Sequence, residues 1–308
     1  MEIETGRLPK DEQVPLLLRG LFEQRGYRRY RMSNFEAYDL YRENKNFLES
    51  EGIITFTDAS GRLMALKPDV TMSIVKHTKP DAVSSKLYYV ENVFRLAPQS
   101  GEYREISQMG LEFIGGQGGY AEAEAVELAV RSLAAIGPQS VLDVGHMGFL
   151  TSLLDVLGVR EEARAAALDA LRGKNAHTLR AIAAESGCTE EEAGPLAALA
   201  ALAGPFPETL DAARALVAAP GMADARGELQ SLYDALEAVD AADTLRLDFS
   251  TLNDIDYYNG VVFKGYVRGV PRAVLAGRRS DHMTRRLGHP PPALALAHYL
   301  GGQGRAWA

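Results

Sequence analysis

Residues 86–114 read KLYYVENVFRLAPQSGEYREISQMGLEFI, and this stretch decides the fold. Two β-prone runs, 86–95 and 103–114, flank the loop LAPQSGE, and this spacing predicts a long antiparallel hairpin. Residues two apart on a strand share a face. On the second run, Arg104, Gln108, Gly110 and Glu112 therefore share one face, and Met109, Leu111 and Phe113 the other. The apolar set reads as a core face. The other set puts charge in the middle of a sheet, around a glycine that leaves space. On the first run Tyr89, Glu91 and Arg95 share a face. At ~3.3 Å per residue Gln108 and Glu112 lie ~13 Å apart, the two ends of a small-ligand trough with Gly110 as its floor.

Upstream, Val14, Leu17, Leu18, Leu21 and Phe22 form the stripe of an amphipathic helix over 12–26, with Pro15 expected in its first turn and Gly26 ending it. From residue 27 to 114 the text is β-rich. A turn at 58–61 separates strands at 52–57 and 62–66, and a helix is expected after Pro68. Lys67-Pro68-Asp69-Val70-Thr71 closes a strand with a carboxylate and a hydroxyl facing outward.

Downstream, the glycine cluster at 115–119 ends a strand and starts a helix over 121–136, and 140–144 reads as a strand. Residues 155–243 are rich in alanine and leucine, broken by Gly and Pro, the signature of short, closely packed helices. From Thr244 onward LRLDF, YYNGVVFKGYV and PRAVLAG look like successive strands. The expected organisation is a core in two parts, 1–154 and 244–308, split by a helical insertion at 155–243. The fold class is α+β, with most strands antiparallel.

Composition narrows the chemistry. The chain has 308 residues, 46% hydrophobic and 24% charged, which suits a folded chain with ample core. A formal net charge of −8 argues against a protein whose main work is gripping a phosphate backbone. One cysteine, Cys188, excludes an intramolecular disulfide and any multi-cysteine zinc site. No secretory signal and no long apolar run is read, so a cytoplasmic protein is expected. The six histidines show no metal-ligand spacing, His282 and His289 read as loop residues, and neither a P-loop nor a GxSxG elbow occurs. Neither a metal nor a cofactor is expected. The segment Asp256-Tyr257-Tyr258-Asn259-Gly260 sets two phenols at the start of a late strand. A carboxylate with a hydroxyl can hold an ammonium, and a carboxylate with a tyrosine can hold a neutral or charged imidazole.

At this point the residues resemble a known family. ENVFR (91–95), GEYREISQMGLEFIG (101–115), ALKPDVT (65–71) and IDYYNGVVF (255–263) are similar in order and spacing to the core of histidyl-tRNA synthetase, a class II synthetase. The resemblance covers nearly the whole chain. It implies a six-stranded antiparallel sheet flanked by helices and a histidine pocket. In that family the positions matching Asp69, Thr71 and Gln108 hold the amino-acid backbone, and those matching Glu112 and Tyr257 or Tyr258 read the imidazole. Arg95 joins the histidine-binding set on the same resemblance.

The departures fall on the ATP side. RGLDYY of the synthetase reads NDIDYY here, with Asn253 in place of an activating arginine. Leu96-Ala97-Pro98 lacks the Glu-Arg pair that precedes the proline, and Glu102 stands where a basic residue meets the triphosphate. No GxGxER-like motif appears in PPALALAHYLGG, and the GGRYD turn becomes Gly277-Arg278-Arg279-Ser280-Asp281. The chain stops at Ala308, where no anticodon-binding domain is expected. This pattern resembles the regulatory subunits of ATP phosphoribosyltransferase. That likeness implies no catalytic residues, histidine as ligand, a short-form catalytic subunit as partner, a homodimer formed through the N-terminal helix and strand, and neither tRNA nor membrane as partner. The alternative is a truncated synthetase-like enzyme that activates an amino acid for a non-tRNA acceptor.

Overall fold

The hairpin forms. In the computed structural model, which describes residues 8–44, 52–78, 84–97, 100–115, 118–252, 260–288 and 293–300, strands β5 (Ser84–Leu96) and β6 (Tyr103–Gly115) pair antiparallel along their full length. The chain divides into two compact units, residues 1–116 with 283–308, and residues 117–282.

The first unit runs α1 (Lys10–Gln24), β1 (Arg28–Arg29), β2 (Phe35–Ala37), α2 (Tyr38–Arg42), β3 (Thr55–Thr57), β4 (Leu63–Leu66), α3 (Thr71–His77), β5 and β6, and is completed by β12 (Ala293–Tyr299). Its strands order as β1-β5-β6-β12, beside a small antiparallel sheet β2-β4-β3. Of the α1 stripe Val14, Leu18 and Phe22 are buried, Leu21 is half-buried and Leu17 stays exposed. This helix covers the apolar face of the hairpin: the Phe22 ring lies 6.1 Å from Tyr88 and 6.0 Å from His298, and the Tyr88 hydroxyl donates to Glu23 at 2.6 Å. Met109, Leu111 and Phe113 are buried on that face, as the alternation predicts. Gly26 adopts a left-handed φ of 82° after the helix, a conformation glycine takes without steric cost. Pro15 is not in the first turn. The helix starts at Lys10, so Pro15 falls in the second turn, where its missing N–H leaves the Asp11 carbonyl without its helical donor.

The second unit runs α4 (Gly118–Ile136), β7 (Ser140–His146), α5 (Met147–Val156), α6 (Glu161–Arg172), α7 (Ala176–Glu185), α8 (Glu190–Leu199), β8 (Ala203–Pro205), α9 (Phe206–Ala213), α10 (Pro220–Glu237), β9 (Leu245–Asp248), β10 (Val261–Val267) and β11 (Leu275–Arg279). Within it the strands order as β11-β10-β7-β9-β8. Helix α4 lies so close to β10 that a side chain at Gly265 would meet Leu133 and Leu275 within 2.8 Å. Alanine-rich text gives helices, as its propensity predicts, and polar caps start two of them. Asn175 accepts from the Thr178 amide at 3.1 Å, and Thr189 and Glu192 form a reciprocal capping box.

Two pairings depart from the antiparallel expectation. β1 pairs parallel with β5, and β7 pairs parallel with β9. The second arises because β7 and β9 are joined through the whole run α5–α10, long enough to bring the chain back in the same direction. The short strand β8 also lies inside the helical stretch. His282 sits in α11 (Asp281–Arg286) rather than in a loop. No helix among the described residues is long and apolar enough to cross a membrane.

Candidate functional site

The face of the hairpin opposite α1 carries the polar residues, and it is not solvated. Gln108 is 3% and Glu112 1% exposed. A carboxylate that deep needs hydrogen-bond partners. Thr71 supplies one: its Oγ1 donates to Glu112 Oε1 at 2.5 Å. Thr71 opens α3, and the residues before that helix are stitched to the hairpin. Asp69 Oδ1 accepts from the Met72 amide at 2.8 Å, capping the helix's first turn. From β5, Arg95 Nε donates to the Pro68 carbonyl at 2.8 Å, and its Nη2 lies 3.9 Å from Asp69 Oδ2. Asp69, Thr71, Arg95 and Glu112 are thus brought together, with Gln108 two same-face positions away along β6, beyond Gly110. Tyr257 and Tyr258, like Asn253, lie outside the described residues.

Two neighbours that the sequence names but does not assign to the site lie beside it. Lys67 is fully buried, with its Nζ 2.5 Å from Glu91 Oε2. The Glu91 side chain was placed on a face, but its partner lies 24 residues away and no local pattern joins the two. Tyr89 is the second. It pairs directly with Gly110. A side chain added at Gly110 would put its Cβ 2.4 Å from both the Tyr89 hydroxyl and the Leu296 carbonyl oxygen. The trough's floor is therefore not open: the space that glycine leaves is filled by a phenol. On the other side, Ala295 stands opposite Glu112, Ala297 opposite Gly110 and Tyr299 opposite Gln108, so β12 borders the site with two short side chains and, beside Gln108, a phenol.

The electrostatics follow from burial. The Tyr89 phenol is pushed well above its ordinary range by desolvation, reinforced by the negative charge of Glu112 and Asp69 and opposed by Arg95. Burial also raises the Tyr41 phenol, with Asp69 and Glu36 adding to it. Both therefore stay neutral hydrogen-bonding groups at neutral pH.

In the second unit the altered turn carries ion pairs of its own. Arg279 ends β11 with Nε 2.7 Å from Asp281 Oδ2 and Nη1 2.9 Å from Glu122 Oε1. Glu228, on α10, reaches His146 Nε2 at 3.1 Å and Arg279 at 3.8 Å. Burial raises the Glu122 carboxyl against the pull of Arg279, whereas the hydrogen bond from His146 holds Glu228 low. Gly260, with a φ of 79°, packs against the same guanidinium. Among the described residues, no group of three or more His, Cys, Asp or Glu is placed to hold a metal ion.

A mostly antiparallel sheet flanked by helices, with a buried carboxylate, a hydroxyl, an amide and an Asp–Arg pair on one face of its central hairpin, has the class II synthetase-like fold. The family model for histidyl-tRNA synthetase matches residues 8–301, and the chain belongs to that family. Within it, the chain groups with the regulatory subunits of ATP phosphoribosyltransferase. The regulatory subunit from Moorella thermoacetica is 32% identical over 92% of this chain and 75% of its own length. Among solved structures, an ATP phosphoribosyltransferase regulatory subunit/histidyl-tRNA synthetase from Bacillus halodurans superposes with a TM-score of 0.82 at 22% identity, covering 94% of this chain and 77% of that one. A chain of the ATP phosphoribosyl transferase (HisG:HisZ) complex from Thermotoga maritima gives a TM-score of 0.73 at 16% identity, covering 95% and 98%. These likenesses establish the fold.

Proposed function

We propose that this chain is a non-catalytic regulatory subunit that binds free histidine and, with a short-form catalytic subunit of ATP phosphoribosyltransferase, makes that enzyme responsive to histidine. The observation that carries the reading is the Thr71–Glu112 pair, a buried carboxylate held in place on the face that also presents Gln108, Asp69 and Arg95. Burying that much polarity costs stability even when hydrogen-bonded, and such costs concentrate at functional sites. The histidine-binding set is Asp69, Thr71, Arg95, Gln108, Glu112, Tyr257 and Tyr258. The helical stretch 155–243 is read as an insertion in the synthetase-like core, and the working form as a homodimer inside a hetero-oligomer.

Loss of chemistry rests on the ATP side. Glu102 lies exposed on the hairpin turn, where a carboxylate repels triphosphate. Losing one positioned cation costs ~10²–10³ in rate, and several are missing together. The protein is therefore expected to show no histidine-dependent pyrophosphate–ATP exchange; robust exchange by pure protein would favour the truncated-synthetase reading. A subunit without chemistry acts only through differential binding. Co-purification with the short catalytic subunit, then an ATP plus phosphoribosyl-pyrophosphate assay with and without histidine, tests the rest. Glu112→Gln should weaken histidine binding by about 1.5–3 kcal/mol, the worth of a hydrogen bond to a charged group. Association with neither activation nor a histidine response defeats the regulatory reading.

A further inference from the structure

We propose that Tyr89 is the specificity-determining residue of this site: its ring sets the depth of the trough over Gly110, and its hydroxyl contacts the ligand between Gln108 and Glu112. The inference rests on the amino-acid-binding reading above and adds to it a residue that reading does not contain.

The register places it. Tyr89 stands opposite Gly110, while Glu91 and Leu87 stand opposite Gln108 and Glu112, so the Tyr89 ring rises from the centre of the polar face. Its hydroxyl is 2.4 Å from where a Gly110 side chain would begin, and Leu296 closes the same spot from β12. The glycine is thus required by the tyrosine. No other residue type at 110 lets a phenol lie flat across the strand. Tyr89 is 2% exposed, as deep as Gln108 and Glu112, and a phenol at that depth has to spend its hydrogen bond inside the site. Glu112, Asp69, Arg95 and Tyr299 are the charged and phenolic groups that act on it electrostatically, and each comes from a separate stretch of the polar face or its rim.

Ring and hydroxyl have separable effects. A pocket floor made by an aromatic ring rejects larger ligands by volume, and a buried hydroxyl contributes through the hydrogen bond it makes. Tyr89→Phe keeps the volume and removes only the hydroxyl. Tyr89→Leu opens space above Gly110. Calorimetric titration of the full chain with histidine and with ring-methylated histidine gives the readouts, with thermal melting to confirm folding. Tyr89→Phe should bind histidine about tenfold more weakly with its melting temperature within a few degrees of the parent. Tyr89→Leu should raise the ratio of methylhistidine to histidine affinity at least tenfold, a shift in preference that a merely structural loss does not produce. Unchanged histidine affinity in Tyr89→Phe together with an unchanged ratio in Tyr89→Leu overturns the role of Tyr89 alone. No histidine binding by the parent chain overturns the ligand reading itself, and this inference with it.

Discussion

Lys67 offers a sharp test of how the loop before α3 is held. Its side chain is fully buried and that of Glu91 is 13% exposed, with 2.5 Å between nitrogen and oxygen. Lys67→Met removes the charge and keeps much of the stem. The backbone should not shift, because the Lys67 amide donates to the Asn34 carbonyl and its own carbonyl accepts from Phe94, each at 3.0 Å. What remains is a nearly buried Glu91 carboxylate whose other contact is a 3.5 Å approach of the Met32 amide. Breaking a buried pair by removing one partner costs about 3–5 kcal/mol, whereas replacing both with apolar groups is often neutral or stabilising. At about 2–4 °C per kcal/mol for a cooperative unit of this size, Lys67→Met should lower the melting temperature by roughly 6–20 °C. The double variant Lys67→Met/Glu91→Leu should recover most of that loss. Urea unfolding of the parent, both single variants and the double variant closes the cycle, provided the denaturant slope is constant. A loss below about 1 kcal/mol in Lys67→Met, or a double variant no more stable than it, would refute the reasoning.

Other expectations follow from single contacts. Burial depresses the His298 imidazole to about 4, with the hydrogen bond at the Met109 carbonyl opposing, so the folded state stays neutral while the unfolded chain takes up a proton near 6.5. Stability should therefore fall as pH drops from about 6.5 to about 4, by about 3 kcal/mol, and His298→Phe should flatten that slope in unfolding midpoints measured across the window. Gly110→Ala drives a methyl against a backbone carbonyl at 2.4 Å; it should destabilise by about 2 kcal/mol or more, seen as a lower melting temperature or loss of soluble protein. Asn175→Ala removes the α7 cap and should cost about 1 kcal/mol in urea unfolding, with histidine binding unchanged.

What could be read beforehand was local. The hairpin, the helix over the α1 stripe and the alanine-rich helices each carry their own periodicity and each forms, although Leu17 of the stripe stays exposed. Gln108 and Glu112 fall on one face by alternation alone. Missing were the facts that depend on register or on distant chain. Tyr89 fills the space over Gly110 only because these two residues pair, and the loop residues do not fix that pairing in advance. Ala203–Pro205 carries no β signal and is a strand because β9 offers it an open edge. Arg279 and Glu122 meet across 157 residues, beyond any short pattern. Pro15 suggests a first turn, yet α1 begins at Lys10, because packing of Val14, Leu18 and Phe22 outweighs one lost backbone hydrogen bond.

The first unit is built from two separate stretches of chain, and this has a kinetic consequence. Strands β5 and β6 are separated by six residues of sequence, but β12 reaches β6 only across residues 116–292. With closure entropy growing as (3/2)RT ln n, the later pairing starts about 3 kcal/mol behind the earlier one if the intervening chain is unstructured. That handicap shrinks once residues 117–282 have collapsed, because a folded segment brings its own ends nearer than a coil does. During synthesis the second unit is also complete before β12 exists. Closure entropy and the order of synthesis both favour one sequence of events: hairpin, then second unit, then β12. Until that last strand docks, one edge of β6 stays open as a template for pairing with other chains.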